Sequence, residues 1–170
     1  MMKSRIASEE RKEEKNMLVK EYRLVIDKDY KNILKEGGAA YKVDGRKVFN
    51  SPLALSDFFG DAVGIRNAAN EHVYVACLDS KLHIIGCFEA SHGTVNASLF
   101  PVREILQKAL LIGAVSIAIA HNHPTGDITP SAEDIEATER TKAACDLIGV
   151  PLLDHIIIGA NNPSYYSFTE

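Results

Sequence analysis

Apolar residues along the chain follow two periods, which predict alternating strands and helices. Short, nearly continuous apolar runs are typical of buried strands, and strict alternation indicates a half-buried strand. Strand-like segments occupy residues 22–26, 73–78, 82–88, 115–120 and 152–158, and the tail SYYSF could add an edge strand. Turn-like residues 79–81 separate the second and third of these segments.

Helical signals lie between the strands. Residues 51–63 start like a helix, with Ser51 as N-cap and Pro52 at the first helical position. Residues 102–112 carry apolar side chains at helical spacing, and a helix over 131–148 is ended by Gly149. This alternation predicts an α/β or α+β sandwich around a mixed sheet.

The length of 170 residues predicts one domain with a short appendage. Residues 1–20 are dominated by charge and predict an N-terminal tail or helix. Residues 21–50 contain Gly-Gly and Asp-Gly pairs and predict strands and turns that lead into the domain. The main domain is predicted over residues 51–170.

Composition narrows the class of protein. A net charge of −4 gives no overall basic field for nucleic acid or anionic lipid. The apolar runs are too short to cross a bilayer, and the N-terminus has no apolar signal core, so we expect a cytoplasmic protein. Three widely spaced cysteines suggest buried small side chains rather than disulfides or a zinc knuckle.

The stretch AHNHPTGDITPSAED combines residue types that bind metals. His121 and His123 follow an apolar strand, and side chains two apart on extended backbone point to one face. Asp134 falls in the first turn of the next helix, where the dipole favours an ionised carboxylate. Two histidines and one carboxylate leave a fourth position for water, as in catalytic zinc sites.

Ordinary local structure is the alternative. Ser131 and Asp134 have the spacing of a helix capping box, and Asp127 after glycine is a common turn residue. Capping does not require a pair of histidines at the edge of a sheet. We therefore favour a metal site, in which Asp134 must reach the histidines.

At these residues the chain resembles a known family. His121-x-His123, seven residues, Ser131, two residues and Asp134 match the JAMM signature of JAB/MPN-type metalloproteases. The wording HNHPTGDITPS is similar to the RadC-like bacterial branch, as are residues 100–104 and 153–159. The likeness runs from about residue 51 to residue 170.

The resemblance implies a cytidine-deaminase-like three-layer sandwich, with a mixed sheet flanked by helices. It implies that His121, His123 and Asp134 hold Zn²⁺. It also implies that the protein hydrolyses a peptide or isopeptide bond of a peptide or protein substrate, by attack of a water molecule on the carbonyl. The family's upstream glutamate, the general acid–base, matches Glu71; Glu89 is the next candidate but lacks the family's context. Ser131 would donate a hydrogen bond to the developing oxyanion.

Other residues have weaker assignments. His155 either orients a zinc ligand or is a satisfied core histidine, which we favour. Arg103 either contacts an acidic substrate group or, as we favour, forms a salt bridge. The spacing of the remaining histidines indicates no ligand role; these are His72, His83 and His92.

Three functional classes are alternatives to a zinc hydrolase: a zinc deaminase, an HNH nuclease and a nucleic-acid-associated module. A zinc deaminase needs a Pro-Cys-x-x-Cys pair, which is absent, and HNH nucleases spread their residues over separate elements. The alternative that stays open is a RadC-type module, associated with DNA repair or nucleic acid, that retains the zinc fold. The acidic balance of the whole chain argues against it, and residues 1–50 are too few for the family's helical DNA-binding-type module.

Overall fold

The fold is built around one mixed β-sheet. The structure is a computed structural model, which describes residues 16–93, 100–161 and 163–170. In chain order the strands are β1 (Asn16–Ile26), β2 (Asn32–Asp44), β3 (His72–Leu78), β4 (Ile84–His92), β5 (Ser116–His123), β6 (Leu152–Gly159) and β7 (Tyr165–Ser167). Their order across the sheet is β2-β1-β4-β3-β5-β6-β7. The pairs β1–β4 and β5–β6 are parallel, and the other neighbours are antiparallel.

Helices connect these strands. They are α1 (Pro52–Asp57), a π-helical segment (Phe58–Val63), a 3₁₀ turn (Ile65–Asn67), α2 (Val102–Ile112) and α3 (Ala132–Ile148). Ser51 caps α1 as predicted, because its Oγ accepts a hydrogen bond from the backbone N–H of Ala54 at 3.2 Å. Gly149 ends α3 in the left-handed conformation, with φ of 74°. The predicted helices at 102–112 and 131–148 are therefore confirmed.

Two apolar clusters lie on opposite faces of the sheet. Along β5, Ile117 and Ile119 belong to one cluster, whereas Ala118 and Ala120 belong to the other. The isoleucine face packs against α2 and α3 through residues such as Ile105, Ala109, Ala137 and Cys145. The alanine face packs against α1 and the segment after it through Leu55, Phe58 and Phe59. The predicted α/β sandwich, a mixed sheet flanked by helices, is confirmed.

The N-terminal hairpin differs from its prediction. Strand β1 begins at Asn16, not near residue 22, and enters the segment expected to be a charged tail or helix. Pairing with β2 accounts for this, since residues 16–20 pair antiparallel with residues 40–44 of β2. Residues 1–15 lie outside the described residues, and the division of the chain at residues 20 and 50 stays a prediction.

The Gly37-Gly38 pair is not a turn. Both glycines lie inside β2, where the register shifts between Lys20 and Tyr22 of the partner strand. The shift marks a β-bulge, and glycine is common there because extra backbone must fit closely. A Cβ on Gly37 would lie only 3.2 Å from the carbonyl oxygen of Glu21.

Two further expectations concern the membrane and the cysteines. Within the described ranges, the helices are too short or too polar to cross a bilayer. The thiols are free and buried, as predicted from their apolar surroundings; they belong to Cys77, Cys87 and Cys145.

Candidate metal centre

The three predicted metal ligands converge at the end of β5. His121 and His123 are the sixth and eighth residues of this strand, so their rings lie on the same face. The two Nε2 atoms are 3.0 Å apart. Asp134 Oδ1 lies 3.3 Å from His121 Nε2, and Asp134 Oδ2 lies 3.7 Å from His123 Nε2. These three side chains could hold a metal ion.

The donor set fits a divalent cation. Nδ1 of His123 contacts the carbonyl oxygen of Asp127. A carbonyl oxygen only accepts, so Nδ1 carries the proton and the Nε2 of the neutral ring offers a lone pair. This lone pair faces the second imidazole and a carboxylate that is 1% exposed. A cation between such electron-rich atoms removes their mutual repulsion, and two nitrogens with one oxygen are ligands that zinc prefers.

Asp134 is positioned by the start of α3. Ser131 Oγ accepts from the N–H of Asp134 at 3.1 Å, and the N–H of Ser131 donates to Asp134 Oδ2 at 2.8 Å, which forms a capping box. Oδ2 of Asp134 accepts hydrogen bonds from both the N–H and the Oγ–H of Ser131, and these donors favour the ionised carboxylate that a metal requires. Local capping and metal binding are therefore compatible at this helix end.

Ser131 uses its hydroxyl within the centre. Its Oγ–H donates to Asp134 Oδ2 at 2.7 Å. To reach a substrate oxyanion, as the sequence predicts, this hydroxyl proton has to turn away from Asp134. The oxyanion role of Ser131 stays a prediction.

Glu71 lies just before β3, which pairs with β5 through Val73 and His121, so its backbone lies near the strand end that carries both histidines. Its Oε2 is buried and has no hydrogen-bond partner among the described residues. Burial raises the pKa of Glu71. Glu89, the second candidate, is engaged elsewhere, because its Oε1 lies 2.6 Å from His72 Nδ1.

Asn122, between the two histidines, was not predicted to have a site role. Its side chain is buried on the opposite face of β5. The Oδ1 atom accepts from the N–H of His72 at 2.8 Å, and Nδ2 donates to the carbonyls of Asn70 at 3.0 Å and Ala68 at 3.4 Å. Asn122 thus holds the backbone on both sides of Glu71, which couples the predicted acid–base residue to the histidine strand.

His155 is both a buried histidine and a partner of a predicted ligand. It is 1% exposed, and its ring stacks on Phe168 with centroids 4.6 Å apart. Its Nε2 lies 2.7 Å from His121 Nδ1, and its Nδ1 lies 2.6 Å from Thr138 Oγ1. Burial lowers the pKa of His121 to about 4 and that of His155 well below its ordinary value. The favoured core role therefore also includes contact with His121.

The remaining sequence candidates lie away from the three ligands. Arg103 is exposed on α2. His83 pairs with Asp79 at 3.2 Å, and His92 stacks on His72 with centroids 5.1 Å apart. None of them belongs to the histidine–aspartate cluster among the described residues.

Comparison with known proteins assigns the chain to a family. The sequence model of the RadC-like JAB domain matches residues 49–170. A UPF0758 protein of Pelobacter propionicus is 39% identical over 136 residues, which cover 77% of this chain and 58% of that protein. UPF0758 proteins of Clostridium novyi and Geotalea uraniireducens are 38% and 37% identical, each over 77% of this chain and 56% of the relative. The chain thus spans little more than half the length of these curated relatives. It belongs to the RadC-like JAB domain family.

Proposed function

We propose that the chain is a zinc-dependent hydrolase, of the metallopeptidase or isopeptidase type, that cleaves a peptide or isopeptide bond. One observation carries the proposal: two imidazoles and a carboxylate converge at the end of β5, and this strand pairs with the start of β3, just after Glu71, whose Oε2 is buried and has no hydrogen-bond partner within the described structure. A structural metal site does not need the second carboxylate. A hydrolytic site does, because a proton must move from the attacking water to the leaving amine.

Metal binding would fall to His121, His123 and Asp134. Three protein ligands leave an open fourth position, which distinguishes catalytic from structural zinc sites. When bound, zinc supplies Lewis-acid chemistry, which lowers the pKa of a water molecule to about 7 and polarises a carbonyl oxygen. The buried carboxylate of Asp134 balances part of the metal's charge.

Glu71 would move the proton. Its free Oε2 can accept the proton of the attacking water and then return it to the leaving amine. The raised pKa of this carboxyl brings it closer to neutral pH, where such transfer is most efficient. General acid–base assistance of this kind contributes roughly a hundred- to ten-thousandfold in rate.

Ser131 would stabilise the oxyanion. Its hydroxyl is held 2.7 Å from Asp134 Oδ2 and can turn towards a substrate oxygen that arrives at the same helix end. One donor of this kind contributes about 3 kcal/mol to transition-state stability.

A peptide-cleavage experiment tests the proposal. The zinc-loaded protein is incubated with a mixed peptide library, and new termini are identified by mass spectrometry. Glu71→Gln should bind zinc as the unsubstituted protein does but lose at least about a hundredfold in cleavage. Glu89→Gln is the matched control, since it makes the same change at a glutamate that contacts His72 instead of the metal ligands.

The contrary outcomes are equally specific. Cleavage at full rate by Glu71→Gln would move the acid–base role to another residue. Absence of cleavage by the zinc-loaded protein, together with salt-dependent retention on DNA, would favour a nucleic-acid-associated module instead.

A further inference from the structure

A chain of buried hydrogen bonds links α3 to the first ligand histidine. The Thr138 hydroxyl donates to the carbonyl oxygen of Asp134 at 2.6 Å. Thr138 Oγ1 also lies 2.6 Å from His155 Nδ1, and His155 Nε2 lies 2.7 Å from His121 Nδ1. This series of hydrogen bonds therefore starts at the backbone carbonyl of Asp134, one predicted ligand, and ends at the ring of His121, another.

The carbonyl oxygen of Asp134 determines the direction of every hydrogen bond in this series. A carbonyl oxygen can only accept, so the single hydroxyl proton of Thr138 is used there. Thr138 Oγ1 must then accept from Nδ1–H of His155. A neutral His155 has no second N–H, so its Nε2 accepts from Nδ1–H of His121. The remaining nitrogen of His121, Nε2, is left with its lone pair.

Burial keeps the imidazole rings of His121 and His155 neutral. The direction of the hydrogen bonds given above requires neutral rings. His121 and His155 are each 1% exposed, and Phe100 packs against both in T-shaped contacts. Phe168 stacks in parallel on the ring of His155. A cationic His155 between these aromatic rings would lose its hydration, and its two ring nitrogens contact His121 and Thr138 rather than a carboxylate. Asp134 Oδ1 lies 3.3 Å from His121 Nε2, but burial of the His121 ring outweighs this charge and lowers the pKa of the imidazole.

We propose that Thr138 and His155 are positioning residues that fix His121 in the tautomer whose Nε2 lone pair faces the metal centre. The two ligand histidines are then fixed differently, since His123 donates directly to the carbonyl of Asp127. Residue Asp134 has two functions. Its carboxylate is a metal ligand, and its backbone carbonyl sets the direction of the hydrogen bonds through Thr138 and His155. The inference rests on the proposed metal site but not on hydrolysis.

Zinc affinity in paired variants tests this positioning. Thr138→Val removes the hydroxyl with little change in volume, and loss of such an outer partner weakens metal binding about 10- to 100-fold. Thr141→Val is the matched control on α3, because Thr141 is also buried and its hydroxyl also donates to a helix carbonyl, that of Ala137 at 2.7 Å. We expect Thr141→Val to change the zinc dissociation constant less than about threefold, and Thr138→Ser to restore affinity.

Nitrogen-15 NMR of the imidazoles reads the tautomer directly, in the metal-free protein. His155 should be neutral with its proton on Nδ1, and Thr138→Val should mix the two tautomers while Thr141→Val does not. A proton on Nε2 of His155, or equal losses of zinc affinity in the two valine variants, would overturn the inference. If the unsubstituted protein binds no zinc, the proposed function fails, and the NMR result still decides the tautomer.

Discussion

Replacing Asn122 with alanine separates the positioning of Glu71 from metal binding. The buried amide bonds the backbone at His72 and Asn70, on either side of Glu71, at 2.8 and 3.0 Å. None of these groups is a predicted ligand. The substitution should therefore leave the zinc site intact while it releases the strand end that carries the acid–base residue.

The cost in stability follows from the groups left unpaired. Removing the amide leaves the part-buried N–H of His72 and the carbonyl of the exposed Asn70 without this partner, at about 1 kcal/mol for each hydrogen bond, and it removes a longer contact to Ala68 at 3.4 Å. The free energy of unfolding should fall by about 2 kcal/mol, which a domain of ordinary stability, about 5–15 kcal/mol, survives. Turnover should fall about a hundredfold, because the proton acceptor is no longer held in place.

Guanidinium denaturation of the metal-free proteins measures this loss without the contribution of ligand binding. Ser116→Ala is the control on the same strand, since Ser116 is 4% exposed and its Oγ has no hydrogen-bond partner among the described residues. Its removal should change the stability by less than about 0.5 kcal/mol or increase it. Zinc content per chain is measured on both variants.

Two results would refute this reasoning. If Asn122→Ala and Ser116→Ala unfold at the same guanidinium concentration, the amide does not hold the start of β3. If Asn122→Ala loses its zinc, Asn122 supports the histidines themselves, and its effect on Glu71 cannot be separated from theirs.

Two further predictions concern packing. Gly159→Ala would place a Cβ 2.9 Å from the backbone oxygen of Gly126, in the turn beside His123, so we expect a loss of about 1–3 kcal/mol in thermal unfolding; an unchanged melting temperature would contradict it. The thiols should resist alkylation at pH 8 until the protein unfolds, as followed by mass spectrometry, because burial raises their pKa values, to about 12 for Cys77 and about 11 for Cys145. Rapid modification of the native protein would show that these thiols are accessible; the buried set is Cys77, Cys87 and Cys145.

Periodicity predicted the central elements because burial itself is periodic. Helix α2 has the predicted bounds, and β5 and α3 differ from theirs by a few residues at most. The N-terminal hairpin was predicted less well, since β1 and β2 are stabilised by pairing with each other rather than by apolar runs of their own. A glycine pair reads locally as a turn, and only the long-range register shows it to be a bulge.

The residues of the candidate site also differ in how far the sequence predicts them. His121, His123 and Asp134 are close in sequence, so their spacing on a strand and a helix start could predict their convergence. Glu71 could be named only from the family resemblance, because nothing local joins it to a residue fifty positions away. The contacts of Asn122, Thr138 and His155 depend on neighbouring elements, and no sequence pattern specifies them.

Zinc content tests the central claim most directly. Elemental analysis of the purified protein should find about one zinc per chain, and Asp134→Asn should lose most of it, because the neutral amide removes the single anionic ligand of the site. The fold of Asp134→Asn is checked by circular dichroism in the same preparation. Full zinc occupancy in a folded Asp134→Asn protein, or no zinc in the unsubstituted protein after loading, would contradict the account.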